Sequence, residues 1–227
     1  MNRRQFAGLA VGVLVSGGAS AALAADKAPQ EWDGLHRVKS KRMKYVWLAP
    51  GVDFRVYHRV MVDPTEIAFA KNWQRDYNND RAGISGRVTD ADVQKAITEG
   101  GKAATAIFAK EFAKGGYPTA AAPAPDVLRV RTAIVNITVT APDIPQAGRS
   151  YQFANEAGAA TLIMEGRDSV TGALLGRVAD GQLAGDTHAL LRSSVSNRAD
   201  FEQLVRLWGS NTVKGLAELK ALSPAGS

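Results

Sequence analysis

Ala159 to Asp168 (AATLIMEGRD), Ser169-Val170-Thr171-Gly172, and Ala173 to Ala184 (ALLGRVADGQLA) decide the fold of this chain. Two apolar-rich runs flank a four-residue turn. Gly172 supplies the positive φ that a hairpin connection needs. On the N-terminal side lies Val127 to Val139, long and β-branched. Its second half is apolar on both faces, Ile134 against Val135 and Ile137, which predicts a central strand. On the C-terminal side a helix starts near Ser196 or Asn197. Phe201, Leu204, Val205, Trp208, Thr212, Leu216 and Leu219 share one face of it, and Pro224 lies beyond its end.

The N-terminal half adds two strands and a helix. Met43 to Ala49 is apolar and aromatic, and Pro50-Gly51 is a turn signal. Phe54 to Val62 alternates, with Phe54, Val56, His58, Val60 and Val62 on one predicted face. Pro64 ends that ladder, and Thr65 to Phe69 extends the chain along an edge. Ala70 to Val88 predicts a short helix and a loop. Thr89 then opens a long helix with Asp90 and Asp92 in its first turn, a capping-box variant. Its stripe is Val93, Ala96, Ile97, Ala104, Ile107, Phe108 and Phe112. Gly100-Gly101 predicts a kink or a close backbone approach, and Gly115-Gly116 a stop.

Pro118 to Pro125 is an extended crossing. Ala141 to Gly158 reads as a long loop, and Gly185 to Asn197 as a polar connection. The expected fold is α+β: a mostly antiparallel β-sheet with two long helices packed on one face, in the order β-β-α-β-β-β-α. The other sheet face is expected to be partly open. There is no internal repeat.

Residues 1–24 read as an export signal. Arg3 and Arg4 form the positive end, Phe6 follows them, and a Gly/Ala-rich apolar run leads to Ala22-Leu23-Ala24. The arginine pair, Phe6 and the weakly hydrophobic run predict twin-arginine export, with the general secretory route as the alternative. The apolar run is shorter than the ~20 residues needed to span a bilayer, so no transmembrane segment is expected in the mature chain. Residues 25–36 read as a flexible tail, 37–222 as a single α+β domain and 223–227 as a C-terminal tail. Removing 24 of 227 residues leaves 203, within the usual size of one domain.

The formal charge is +6, and loss of Arg3 and Arg4 leaves +4. That excess favours anionic neighbours without requiring nucleic acid, and export argues against nucleic acid. Five basic residues cluster at Arg37, Lys39, Lys41, Arg42 and Lys44. Two readings apply: contact with an anionic envelope polymer or lipid surface, or a solvated lead-in to the first strand. The chain has no cysteine, so disulfides, thiol nucleophiles and a lipidated cysteine are excluded.

Catalytic and cofactor patterns are missing. His36, His58 and His188 have no metal-ligand spacing, and His58 is expected at the core or rim. No nucleophile elbow, phosphate loop or dinucleotide fingerprint occurs, and Gly83-Ile84-Ser85-Gly86 is one residue short of an elbow. Asp76, Asn78 and Asp80 start like a calcium loop, but Arg81 and Arg87 stand where Gly and Glu are required. Glu165, Asp168 and Asp180 are the carboxylates placed for acid/base work, with Arg167 and Arg177 as alternative ion-pair partners. No catalytic, cofactor-binding or metal-binding residue is assigned.

Three stretches carry a resemblance. They are Leu48-Ala49-Pro50-Gly51-Val52-Asp53 continuing through Tyr57 to Pro64, then Val127 to Ile134, then Glu165 to Gly172 followed by Asp180 and the Trp208 helix. Their order and spacing resemble the bacterial domain of unknown function family 3313, over residues 40–222. The resemblance implies an envelope protein with no assigned catalytic residues. It also implies an envelope lipoprotein, as most members of that family are predicted to be. The missing cysteine departs from that pattern and implies a soluble periplasmic form.

Together these readings point to an exported, non-enzymatic accessory or binding module of the envelope. The alternatives are an envelope hydrolase using the hairpin carboxylates, and a small-ligand carrier using space between the sheet and the Ala141–Gly158 loop. The partner and the oligomeric state are not specified by the sequence.

Overall fold

The hairpin forms as expected and stands near the middle of the sheet. The computed structural model describes residues 28–80, 86–139, 152–154, 158–184, 190–192 and 194–222. The expected signal with Arg3, Arg4, Phe6, Ala22 and Ala24 lies outside these residues, as do 223–227, His188 and most of the Gly83–Gly86 elbow-like stretch. In chain order the strands and helices are β1 (Glu31–Trp32), β2 (Leu35–Val38), β3 (Tyr45–Leu48), β4 (Arg59–Val62), β5 (Glu66–Phe69), α1 (Trp73–Asp80), α2 (Asp90–Lys114), β6 (Val127–Val139), β7 (Gln152–Ala154), β8 (Gly158–Asp168), β9 (Leu174–Ala184), β10 (Leu190–Arg192) and α3 (Ser194–Leu222).

Among the described residues eight strands form one sheet, ordered β1-β2-β3-β9-β8-β6-β4, with β5 also paired to β6. Glu165 faces Arg177, Met164 faces Val178 and Leu162 faces Asp180 across the hairpin. Gly172 holds φ +74° at the turn. Asp168 Oδ1 accepts the Val170 and Thr171 amides at 3.0 and 2.7 Å, closing that turn from its first residue. β6 is central as expected, bonded to β8 on one side and to β4 and β5 on the other.

Three expectations need correction. The sheet is mostly antiparallel as expected, but it is mixed, because β4 and β5 run parallel to β6. The helices between β5 and β6 form a crossover, which returns the chain in the same direction, whereas a hairpin would reverse it. The element order and helix count also differ, since α1 is a third helix. β7 and β10 form a separate antiparallel pair from segments expected as connections. Two three-residue strands that meet across a long sequence separation leave no local periodicity to read.

The third correction is Phe54 to Val62. A 3-10 turn occupies Phe54–Val56, capped by Asp53, whose side chain accepts the Arg55 amide at 2.9 Å. The turn replaces the period of two with a period of three, so Phe54, Tyr57 and Val60 are buried. Val56 is 49% exposed and His58 is exposed. The histidine expected at the core or rim is therefore a surface residue.

Both long helices cover one face. Thr89 and Asp92 complete the capping box, and Gly116 takes φ +88° past the end of α2. Gly101 is the close approach: an added Cβ would stand 2.8 Å from the Thr65 carbonyl oxygen. Ala104, Phe108 and Phe112 of α2 and Leu204, Val205, Trp208 and Leu216 of α3 join Val130, Ile134, Leu162 and Met164 in one apolar core. Burial of these side chains, at ~25 cal/mol per Å² of apolar surface, is the main stabilising term in a chain without disulfides.

Candidate functional site

The C-terminal half of α3 does not close onto the sheet. A cleft of about 510 Å³ lies between it, the 38–43 segment and strands β3, β8 and β9. That volume is typical of small-molecule sites, roughly 300–1,000 Å³. Its walls are largely apolar, with Met43, Val46, Phe54, Met164 and Leu216 among them. Val38 and Leu222 line it while remaining 36% and 80% exposed.

Glycines line this space. Gly166 and Gly176 are cross-strand partners in the lining, so neighbouring positions on β8 and β9 both lack side chains. Gly215 lines it from α3, and an added Cβ there would meet nothing within 4 Å. At Gly176 a Cβ would instead press on the Trp47 carbonyl oxygen at 3.2 Å and Leu48 at 3.0 Å.

The 39–44 segment is tied to α3 at several points. Arg42 Nη2 lies 2.6 Å from Glu218 Oε1, and Asn211 Nδ2 donates to the Arg42 carbonyl at 3.2 Å. Ser40 Oγ accepts the Arg42 and Met43 amides at 3.1 and 3.2 Å. The Lys44 amide donates to Asp180 Oδ1 at 3.0 Å, and Trp208 Nε1 donates to Asp180 Oδ2 at 2.8 Å. Asp180 therefore joins β9, the segment and α3.

The five basic residues do not share one environment. The Arg37 guanidinium stands 4.9 Å from the Tyr45 ring centre, and the Lys44 ammonium 5.5 Å from it. Arg42 is held by Glu218. Lys39 and Lys41 line the cleft, are exposed, and make no ion pair among the described residues.

The hairpin carboxylates do not converge. Glu165 lies on the face away from the core, bonded by Arg177 at 2.7 Å and by Arg167 at 2.9 Å. Burial opposes its ionisation, yet the two guanidiniums outweigh that and hold its carboxyl below the usual range. Asp180 alternates to the core side. Asp168 is engaged in the turn, where the Thr171 amide leads the groups that lower its pKa, and its Oδ2 accepts the Tyr57 hydroxyl at 3.0 Å. Burial first, and that bond second, push Tyr57 up to about 12. Three carboxylates in three separate roles offer no acid/base pair.

The calcium-like residues Asp76, Asn78 and Asp80 lie on helix α1. Asn78 bonds both backbone groups of Val88, at 2.8 and 2.9 Å, so it acts as a brace for the chain entering α2. His36 lies 3.3 Å from Glu31 at the sheet edge. The Ala141–Gly158 loop expected to bound a ligand space is described only at 152–154 and 158. None of the described loop residues lines the cleft under α3, and sequence reasoning missed that cleft. The available signal was glycine at interior strand positions, Gly166 and Gly176, which marks a bulge or open approach.

The arrangement is that of an α+β protein with an apolar cleft beneath its last helix and cations at the mouth. A model of the family described as protein of unknown function, DUF3313, matches residues 24–212, and the chain belongs to that family. No curated protein matches it. Among solved structures it is similar to a PelC variant dodecamer from Paraburkholderia phytofirmans, at 13% identity and TM-score 0.38, covering 75% of this chain and 97% of that one. It is also similar to a Xanthomonas campestris protein of family DUF330, at 13% identity and TM-score 0.34, covering 77% and 92%. Likeness at this level bears on neither ligand nor assembly.

Proposed function

We propose that this chain is an exported, non-enzymatic binding or accessory protein of the bacterial envelope that holds an apolar or amphipathic ligand in the cleft beneath α3. The observation that carries the reading is the cleft itself, about 510 Å³ with largely apolar walls and an open mouth. A cleft of that volume with largely apolar walls and few polar groups has the make-up of a small-molecule site. The separate engagement of Glu165 by Arg177, Asp180 by Trp208 and Asp168 by the Thr171 amide favours binding over hydrolysis. Among the described residues no helix is long and apolar enough to cross a membrane. The signal read from Arg3, Arg4 and the Ala22-Leu23-Ala24 end supports a periplasmic form, and the folded unit begins ahead of the expected residue 37, at Glu31, because β1 and β2 belong to the sheet.

The test is to express the full chain with a C-terminal tag, fractionate the cells, and record the native mass of the released protein. The expected result is a chain processed after Ala24 in the periplasmic fraction, carrying added mass that organic solvent removes. An unprocessed chain in the cytoplasm would overturn the export reading. A processed chain that carries no added mass and takes up no apolar ligand would overturn the binding reading.

A further inference from the structure

We infer that the cleft takes an acyl chain bearing an anionic head, with the chain between α3 and the sheet and the head at Lys39 and Lys41. This rests on the binding reading above and names its ligand class.

The polar side chains around the cleft decide the head group. Asn211 donates to the Arg42 carbonyl, and Thr212 Oγ1 donates to the Trp208 carbonyl at 2.8 Å. Ser40 Oγ accepts two backbone amides, and Arg42 and Glu218 neutralise each other. Glu165 and Arg177 contribute to the lining from strands whose side chains at these positions turn to the opposite face, where they pair. Lys39 and Lys41 remain as the exposed cations of the lining. Lysine lays its aliphatic stem along apolar surface while its ammonium stays in water. Two such residues at the mouth of an apolar slot match a molecule that is apolar along its length and negative at one end.

Depth comes from one glycine. Gly215 removes a side chain from the roof, where an added Cβ would meet nothing within 4 Å, while Gly166 and Gly176 let Leu128, Leu48 and the Trp47 carbonyl pack closely at the floor. No polar side chain left unengaged inside would favour a sugar or a peptide over a hydrocarbon. The shared chemistry is an acyl chain with a carboxylate or a phosphate, and these two sources need separate arms in the experiment.

The experiment loads the signal-free chain with the neutral fluorophore N-phenyl-1-naphthylamine and displaces it with four ligands bearing a sixteen-carbon chain and with inorganic phosphate. Palmitate and lysophosphatidylglycerol are anionic; hexadecanol and lysophosphatidylcholine carry no net charge. The expected result is displacement by palmitate, lysophosphatidylglycerol or both at concentrations roughly tenfold lower than by the uncharged pair. Which of the two is more potent identifies the source. Inorganic phosphate has no effect, because the chain supplies the burial. Charge reversal at two exposed positions (Lys39→Glu with Lys41→Glu) removes the preference, read as the ratio of displacing concentrations of the charged and uncharged ligands. Added salt narrows the preference in the unmodified chain. Equal displacement by charged and uncharged ligands overturns the head-group assignment while leaving the binding reading standing. Failure to bind the fluorophore overturns the binding reading itself.

Discussion

Trp208 Nε1 donates a hydrogen bond of 2.8 Å to Asp180 Oδ2, with the indole fully buried and the carboxylate 3% exposed. A second bond reaches the same carboxylate from the Lys44 amide, and Gln182 Nε2 adds a third at 2.9 Å. The pair fixes α3 on β9 at one end of the open cleft. Trp208→Phe retains most of the apolar burial and leaves Asp180 one donor fewer. The expected cost is about 1–3 kcal/mol, the penalty for an under-satisfied buried polar group. Urea unfolding measures it, as a lower midpoint with an unchanged slope.

Adjacent glycines in α2 should respond with opposite signs. At Gly100 a Cβ would meet Ile67 at 4.0 Å, an open contact, whereas at Gly101 it would meet the Thr65 carbonyl at 2.8 Å. Gly100→Ala is expected to stabilise by about 0.5–1 kcal/mol, since alanine restricts the unfolded chain more than glycine. Gly101→Ala is expected to destabilise by about 1–3 kcal/mol, because backbone must move. Melting temperatures of the two variants check the sign directly.

Glu165 links acid stability to the face opposite the core. Its folded carboxyl is held below 4.5 by Arg177 and Arg167 against the burial that opposes ionisation. Its contribution is therefore complete above the unfolded value and is lost as pH falls through the lower folded one. Glu165→Gln removes two charge-assisted contacts and should cost about 1.5–3 kcal/mol at neutral pH. The gap between variant and unmodified chain should narrow once pH drops below 4.5. Denaturant midpoints across a pH series give the test, and a gap that stays constant into acid would contradict it.

The start of α2 offers a simpler case. Thr89 Oγ1 accepts the Asp92 amide at 3.2 Å, and Asp92 Oδ2 accepts the Thr89 amide at 2.9 Å. Thr89→Ala should cost about 1 kcal/mol. Local hydrogen exchange in the first turn of α2 should rise with it.

Much of this fold is legible because its signals are local. The 169–172 turn, the Thr89 cap and the apolar stripe of α3 each declare themselves within a few residues. Phe54 to Val62 misleads for a physical reason. Alternating valines suit a strand, but Asp53 captures the Arg55 amide and starts a 3-10 turn. The parallel pairing of β4 and β5 with β6 depends on a crossover and has no signature in either strand. The cleft is the least legible feature. It is built from an open position at Gly215, from close packing at Gly166 and Gly176, and from a basic segment whose five cations divide among Tyr45, Glu218 and the cleft mouth. Composition places the charge in that segment but does not divide it.

The measurement that tests the central claim most directly compares N-phenyl-1-naphthylamine binding by the unmodified chain and by Gly215→Phe. Gly215 lines the cleft and has open space at its Cβ position, so phenylalanine there fills the cleft. The change also removes a helix-interior glycine and should leave the melting temperature equal or higher. The account predicts saturable binding by the unmodified chain and its loss in a fully folded Gly215→Phe. Equal binding by both proteins would place the ligand elsewhere and contradict the account.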